Sequence, residues 1–232
     1  MIDFSKIHYT KINNLLFRVF IYNIILWILY LFVCSTFIRD IPNHKIKTNI
    51  REVKNKIQTG DLILFSHRKM SGNVIKFWSS DYFTHSAVAI RHKGKLWFLE
   101  ADINYTYDLA NNEIKSGPHI VRADDSYFDY YDKGYILWCP LKKQLNNNKV
   151  LEICKKYKES DFNSNPFVWY CAKRKWDYYK YIPKNNYYFC SELVADFYKE
   201  YGLIKNINPA LFTFKDLRNL DIYKNKLYVR LD

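Results

Sequence analysis

Residues 188–202, YFCSELVADFYKEYG, predict a helix that begins at a cysteine. The apolar members of this stretch recur at helical spacing: Leu193, Val194, Phe197 and Tyr201. Gly202 is a typical helix stop. Cys190 is therefore expected at the helix N-terminus, where free backbone N–H groups and the helix dipole favour a thiolate nucleophile. The alternative is a buried cysteine that begins an ordinary core helix.

The bulk composition is that of one sizeable domain with an additional segment. The chain has 232 residues, enough to bury a substantial core. Its formal net charge of +13 allows contact with nucleic acid, an anionic membrane surface or an acidic substrate. The basic residues are scattered, without an RNA-binding aromatic signature, zinc-finger spacing or a basic zipper. We therefore expect no specific nucleic-acid binding.

The five cysteines do not form a recognisable framework: Cys34, Cys139, Cys154, Cys171 and Cys190. Their number is odd, their spacing is irregular and no CxxC pair occurs. This pattern argues against a disulfide scaffold and against a zinc site, and it favours a reducing compartment. One bridge stays open as an alternative, and we expect neither a metal nor a cofactor.

An uncharged run follows a short tail at residues 1–18. Residues 19–38, VFIYNIILWILYLFVCSTFI, contain Asn23 as their only strongly polar member. A helix of this length rises about 30 Å, the hydrocarbon thickness of a bilayer. The run predicts a transmembrane anchor, and hence a single-pass membrane protein whose orientation the flanking charges do not decide. A cleaved signal peptide and a buried core helix are the alternatives.

The rest of the chain alternates short apolar runs with helical patterns. Residues 39–58 predict a linker and an amphipathic helix, in which apolar residues recur from Ile46 to Ile57. Strands are predicted at 62–65, 84–91, 95–101, 119–122, 135–139 and 227–231, and helices from Ser71 and around 150–157. Residues 163–186 are assigned no element. The prediction is an α+β fold, with an antiparallel β-sheet packed against helices.

A cysteine nucleophile needs a base, and the base needs a third group to orient it. His85 is the best base because it begins a predicted core strand, whereas His119, at another strand start, is a weaker alternative. Glu100 lies on the strand that pairs with that of His85, within reach across a tight turn. A carboxylate there would fix the imidazole tautomer. A structural histidine and a solvent-facing glutamate are the alternatives.

Four motifs carry a resemblance to a known family: GDLILF at 60–65, THSAVAI at 84–90, FLEA at 98–101 and FCSELV at 189–194. In this order they resemble the circularly permuted papain-like hydrolases, the YiiX/YaeF-like branch of the NlpC-type cysteine peptidase superfamily, which has relatives in poxviruses. In that branch the histidine strand precedes the cysteine helix, whereas ordinary papain-like enzymes have the opposite order. The resemblance covers residues 60 to 217 and implies a permuted papain-like domain over 59–232, with a viral source as the expectation.

The resemblance also implies roles for three residues: Cys190 as nucleophile, His85 as base and Glu100 as the orienting group. It implies an acyl-enzyme mechanism with an oxyanion held by backbone N–H groups at the helix start. The predicted function is a membrane-anchored cysteine peptidase or amidase that cleaves a peptide or isopeptide bond. The alternatives are a lipid acyl hydrolase or acyltransferase of the same fold, and a catalytically idle host-interaction module. Residues 163–186 depart from the family pattern, so substrate preference is not inherited.

Overall fold

The chain divides into two compact units, Met1–Ile38 and Arg39–Asp232. The structure is a computed structural model, and it describes residues 18–30, 32, 45–67, 70–130, 134–176 and 186–231. In the first unit, helix α1 is described over residues 18–30. The second unit contains every residue of the predicted site.

The predicted transmembrane anchor at 19–38 is wrong. Among the described residues, every helix falls below the length and apolar character that a membrane span requires. The predicted single-pass membrane localisation and the predicted membrane contact through residues 19–38 are wrong for the same reason. Residues 31 and 33–38 of the predicted span lie outside the described residues.

Among the described residues of the second unit, seven strands form one mixed sheet. They are β1 Ile46–Asn49, β2 Leu62–Ser66, β3 His85–His92, β4 Lys95–Asp108, β5 Glu113–Arg122, β6 Tyr135–Cys139 and β9 Leu227–Arg230. Their spatial order is β1-β9-β6-β2-β3-β4-β5. Strand β1 is parallel to β9, and the other neighbours are antiparallel. Two short strands, β7 Asp161–Phe162 and β8 Tyr187–Tyr188, pair separately.

Helices cover both faces of this sheet. They are α2 Ile50–Val53, α3 Met70–Ser79, α4 Asp125–Tyr130, α5 Asn147–Lys155, α6 Pro166–Lys173, α7 Cys190–Tyr201 and α8 Phe214–Arg218, with a 3-10 turn at Pro209–Leu211. The central strand β2 is buried throughout, and its alternate residues enter two separate cores. Leu64 packs in the core that contains α5 and α7, whereas Phe65 packs in the core that contains α2 and α4. The α+β class is confirmed, and the all-antiparallel sheet is wrong at β1.

The segment after the linker is also corrected. Its apolar spacing predicts a helix from Ile46 to Ile57, but Ile46–Asn49 is a strand and the helix is limited to Ile50–Val53. The Asn49 side chain accepts a hydrogen bond from the backbone N–H of Glu52 and caps this short helix. Pairing with β9, at the far end of the chain, determines the strand. Local periodicity contains no information about so distant a partner.

Helix α7 begins at Cys190 and ends at Gly202, as the sequence predicts. Phe189 is the N-cap residue in extended conformation, and Gly202 adopts a left-handed conformation with φ of 89°. The fully buried Tyr198 donates its hydroxyl to the carbonyl of Gly60 at 2.9 Å. This bond joins the cysteine helix to the turn that precedes β2.

The GDL motif forms that turn. Gly60 has φ of +97°, and a Cβ atom there would lie 2.5 Å from the Leu141 side chain, so the position requires glycine. The Asp61 carboxylate accepts hydrogen bonds from the Gln58 N–H at 2.8 Å, the Trp138 Nε1 at 2.7 Å and the Leu141 N–H at 2.9 Å. The motif thus ties the start of β2 to the end of β6.

Candidate active site

Cys190 lies at the first position of α7 and is 7% exposed. The first intrahelical bond joins the Leu193 N–H to the carbonyl of Phe189 at 3.0 Å. Backbone N–H groups in the first turn have no intrahelical acceptor, so they can stabilise an anion beside the thiol. The Ser191 hydroxyl donates to the carbonyl of Phe212 at 2.7 Å and joins the helix start to the chain before α8.

His85 and Glu100 meet across the β3–β4 hairpin. Val88 on β3 pairs with Leu99 on β4. Counted away from the turn, Glu100 is one residue past this pair on β4, and His85 is three residues past it on β3. The His85 Nε2 is 2.9 Å from the Glu100 Oε2, and both side chains are buried. The sequence predicts this contact, and the structure places the two residues together.

The imidazole of His85 also forms a hydrogen bond with Cys190. Because Nε2 contacts Glu100, Nδ1 is the ring nitrogen left for the thiol. The three predicted residues are therefore joined in the order Cys190, His85, Glu100. This is the connectivity that nucleophile, base and orienting group require.

The charges of His85 and Glu100 strongly influence each other. Burial would lower the pKa of His85, but the Glu100 carboxylate and the contact with Cys190 raise it well above its ordinary value of 6.5. Burial would raise the pKa of Glu100, but His85, followed by a hydrogen bond from His119, lowers it well below its ordinary range. The pair is therefore an imidazolium beside a carboxylate over a wide range of pH.

Two residues near Glu100 were not predicted as its partners. His119 is the register partner of Glu100 on β5, and its Nε2 is 3.3 Å from the Glu100 Oε1. The Tyr127 hydroxyl, on α4, donates a short hydrogen bond to the Glu100 Oε2. The sequence presents His119 as a rival base. In the structure His119 lies on β5 and faces Glu100, whereas His85 reaches Glu100 from β3. We refer to His85, Glu100, His119 and Tyr127 as the Glu100 network.

A register shift explains why the role of His119 could not be predicted. Near the β4–β5 turn, Asp108 pairs with Glu113, and that register would place Val121 opposite Glu100. An irregularity between Asp102 and Thr106 shifts the pairing by two residues, so His119 is opposite instead. The only sequence signal was that residues 119 and 121 are two apart, so either register places His119 on the same face of the sheet as Glu100.

A mostly apolar cleft opens beside Cys190. Its empty volume is about 430 Å³. It is lined by residues of α3, α6, the start of α7 and the chain leading into α8: Ile75, Ser79, Thr84, Ala172, Lys173, Phe189, Cys190, Ser191, Phe212, Thr213 and Phe214. Lys173 is the only charged residue among these lining residues. A carbonyl compound with an apolar group next to the reacting carbon fits such a cleft.

The described residues contain no group of three or more His, Cys, Asp or Glu side chains arranged to hold a metal ion. Within the same part of the chain, four cysteines are unbridged: Cys139, Cys154, Cys171 and Cys190. Burial raises the pKa of Cys139 to about 12 and that of Cys154 further. Both thiols are therefore unreactive at neutral pH.

Comparison with solved structures finds a distant likeness. The chain is similar to the crystal structure of metalloprotein yiiX from Escherichia coli O157:H7, with 15% sequence identity and a TM-score of 0.44 over 63% of this chain and 67% of that chain. No family profile and no curated protein matches. These comparisons support neither a viral source nor a peptidase in particular. The viral source is withdrawn, and the kind of bond that is cleaved stays a prediction. At this identity and TM-score, the likeness assigns neither a family nor an activity to the chain.

Proposed function

We propose that residues 59–232 form a cysteine-dependent hydrolase of the permuted papain-like type, which acts through an acyl-enzyme on Cys190. The observation that carries this proposal is the buried contact of 2.9 Å between His85 and Glu100, together with the hydrogen bond from His85 to the Cys190 thiol. The motif order supports it, because the histidine strand precedes the cysteine helix. An idle module would have no need of a buried ion pair that contacts the cysteine at the start of α7.

In the proposed reaction, the Cys190 thiolate attacks a carbonyl carbon and the carbonyl π electrons move to oxygen. N–H groups at the start of α7 stabilise that oxyanion. When the intermediate collapses, the leaving group takes the proton of the His85 imidazolium and a thioester remains on Cys190. His85 then removes a proton from water, which attacks the thioester, and the acid is released as the thiolate reforms.

Two kinds of bond are candidates for cleavage. An amide is the first, and it rests on the motif resemblance. The second is an ester or thioester of an apolar acyl group, and the cleft favours it, because Phe189, Phe212 and Phe214 line the space beside the thiol. Both bonds yield the same covalent intermediate, so one experiment tests the mechanism before the bond is chosen.

That experiment is trapping of the acyl-enzyme. The protein is mixed with p-nitrophenyl esters of short and medium acyl chains and with p-nitroanilides, and the product is analysed by intact mass and peptide mapping. We expect a mass increase equal to the acyl group, located on Cys190 and absent in Cys190→Ala. Cys154→Ala is the matched control, since it removes another buried cysteine and should acylate normally.

Two results would refute the proposal. One is acylation that persists in Cys190→Ala, and the other is a wild-type protein that is folded but never acylated by any member of the series. A preference for longer acyl chains among the esters would select the second candidate bond. Turnover of the anilides would select the first.

A further inference from the structure

Glu100 accepts hydrogen bonds from three described side chains, and the proposed mechanism uses only one of them. His85 lies 2.9 Å from its Oε2 and His119 lies 3.3 Å from its Oε1, while the Tyr127 hydroxyl shares Oε2 with His85. Glu100 is 3% exposed and His119 is 2% exposed. A carboxylate that only had to face His85 would not need two further hydrogen-bond donors.

The surroundings of His119 determine which nitrogen carries its proton. Its Nδ1 is buried and has no hydrogen-bond partner among the described residues. A proton on Nδ1 would therefore be an unsatisfied buried donor, which is costly. Nε2 is therefore the nitrogen that donates a proton to the Glu100 carboxylate. Strand register holds it there, because the two residues are direct cross-strand partners.

Tyr127 is positioned independently, from the helix that covers this face of the sheet. Its ring packs against Phe65 and Phe98, with centroid distances of 5.9 Å and 5.3 Å. Phe65 also packs against the His85 ring at 5.7 Å. These aromatic contacts exclude water from the carboxylate and direct the Tyr127 hydroxyl at it. Glu100 therefore depends on protein donors for its solvation.

We propose that His119 and Tyr127 are positioning residues, which keep the buried Glu100 carboxylate ionised and oriented so that it holds the His85 imidazole toward Cys190. This inference rests on the proposed function. The groups that face Glu100 are His85 from β3, His119 from β5 and Tyr127 from α4, and Cys190 of α7 acts on it only through His85.

The physical reason is the cost of a buried negative charge. Burial favours the neutral carboxyl, and hydrogen bonds from His85 and His119 oppose that effect. Without His119 and Tyr127, Glu100 would take up a proton at higher pH. A neutral carboxyl would no longer stabilise an imidazolium at His85, and the base would lose both its charge and its orientation.

The test compares three single variants of the full chain and the double variant His119→Leu/Tyr127→Phe. His119→Leu removes the donor, His119→Gln keeps an N–H at the same reach, and Tyr127→Phe removes one hydroxyl oxygen. Two quantities are measured: the pH dependence of Cys190 acylation, and the titration of the Glu100 carboxyl by carbon NMR, assigned with Glu100→Gln. The second does not require catalysis, so its outcome is independent of whether the proposed function holds.

We expect His119→Leu to slow acylation about tenfold at neutral pH, because the carboxylate is still ionised there but is no longer held in place. The acid limb and the Glu100 midpoint should both move upward by about one pH unit. His119→Gln should restore most of the rate and the original profile. Tyr127→Phe should produce a smaller shift in the same direction, and the double variant His119→Leu/Tyr127→Phe a larger one.

The inference is overturned if the Glu100 midpoint is the same in wild type, Tyr127→Phe and the double variant, or if His119→Gln behaves like His119→Leu. A loss of rate without any change in the pH profile would show a structural role only. If His119→Leu does not fold, Tyr127→Phe decides the question by itself. If Glu100 shifts as expected while Cys190 is never acylated, the proposed function fails and the positioning role stands.

Discussion

Two buried carboxylates of this protein, Asp61 and Glu100, have equal burial and opposite electrostatics. Each is 3% exposed and each accepts three hydrogen bonds. The pKa of Asp61 is raised, because burial outweighs its hydrogen bonds. The pKa of Glu100 is lowered well below its ordinary range, because the charge of His85 and the bond from His119 outweigh burial.

The difference lies in the donors. Asp61 is bound by two backbone N–H groups and an indole N–H, which cannot take up a proton. Glu100 is bound by two imidazoles and a phenol, and one imidazole can carry a full charge. Asp61 therefore fixes the chain between β2 and β6, while Glu100 belongs to a network in which protons can move. Burial and hydrogen-bond number alone would not have distinguished them.

The largest expected difference is in chemistry. Glu100→Gln should lower the rate of Cys190 acylation about 10²- to 10⁴-fold, because a neutral amide cannot stabilise the His85 imidazolium. Asp61→Asn should change the rate per folded molecule less than about threefold, since Asp61 touches none of the Glu100 network. Acylation kinetics of both variants, normalised to folded protein by circular dichroism, make the comparison. Equal losses would remove the distinction between the two carboxylates.

Stability should show the reverse order. Asp61→Asn places an amide N–H₂ against a hydrogen-bond donor and should lower the free energy of unfolding by about 3 kcal/mol. Glu100→Gln should cost less, about 1 kcal/mol, because His85 can release its proton and avoid an unpaired buried charge. Urea unfolding at neutral pH measures both values. A larger loss in Glu100→Gln would contradict this assignment.

The two carboxylates should also respond oppositely to acid. The contribution of Glu100 is present above its ordinary pKa of 4.5 and is lost as pH falls, because its folded-state pKa is lowered. Asp61 has a raised pKa, so its contribution is greatest below 3.8 and declines as pH rises through the folded value. The raised pKa of His85 adds stability below 6.5 that is lost as pH rises through its folded value.

Unfolding free energies of wild type, Asp61→Asn and Glu100→Gln, measured from about pH 3 to 9, test these signs. The difference between wild type and Glu100→Gln should grow as pH rises from 3 to about 4.5, remain level to about 6.5 and then decrease. The difference between wild type and Asp61→Asn should fall over the first of these intervals. Parallel curves would refute the contrast.

The smallest expected effect concerns the bond beside Asp61. Tyr198→Phe removes the hydroxyl that donates to the Gly60 carbonyl and should lower the free energy of unfolding by about 1 kcal/mol. Cys190 acylation should be unchanged, because this bond lies toward the far end of α7 from the cysteine. Thermal unfolding and acylation of the variant check both statements. A slower acylation would mean that the turn at Gly60 influences the position of Cys190.

Local patterns predicted the parts of the molecule that depend on near neighbours. The cysteine helix and the β3–β4 hairpin are confirmed, and so is the contact between His85 and Glu100, because a tight turn at Lys93 and Gly94 determines the pairing. The roles of these residues, with Cys190 as nucleophile, stay predictions.

Features that depend on distant or irregular pairing could not be predicted. Strand β1 forms because β9 is beside it, and His119 reaches Glu100 because of an irregularity in β4. Helix α4, which contributes Tyr127, has too short a pattern to detect. At 19–38, apolar composition alone predicted a membrane span, whereas no helix among the described residues is long and apolar enough to be one.

The central claim is that His85 activates Cys190, and the most direct test is the alkylation rate of Cys190 by iodoacetamide in wild type and His85→Ala. At about pH 6 an ordinary thiol, with a pKa of about 8.5, is almost entirely protonated and reacts slowly. We expect wild-type Cys190 to react at least about tenfold faster than in His85→Ala at this pH, with the two rates converging above about pH 9. Equal rates at pH 6 would show that the imidazole does not activate the thiol and would contradict the account.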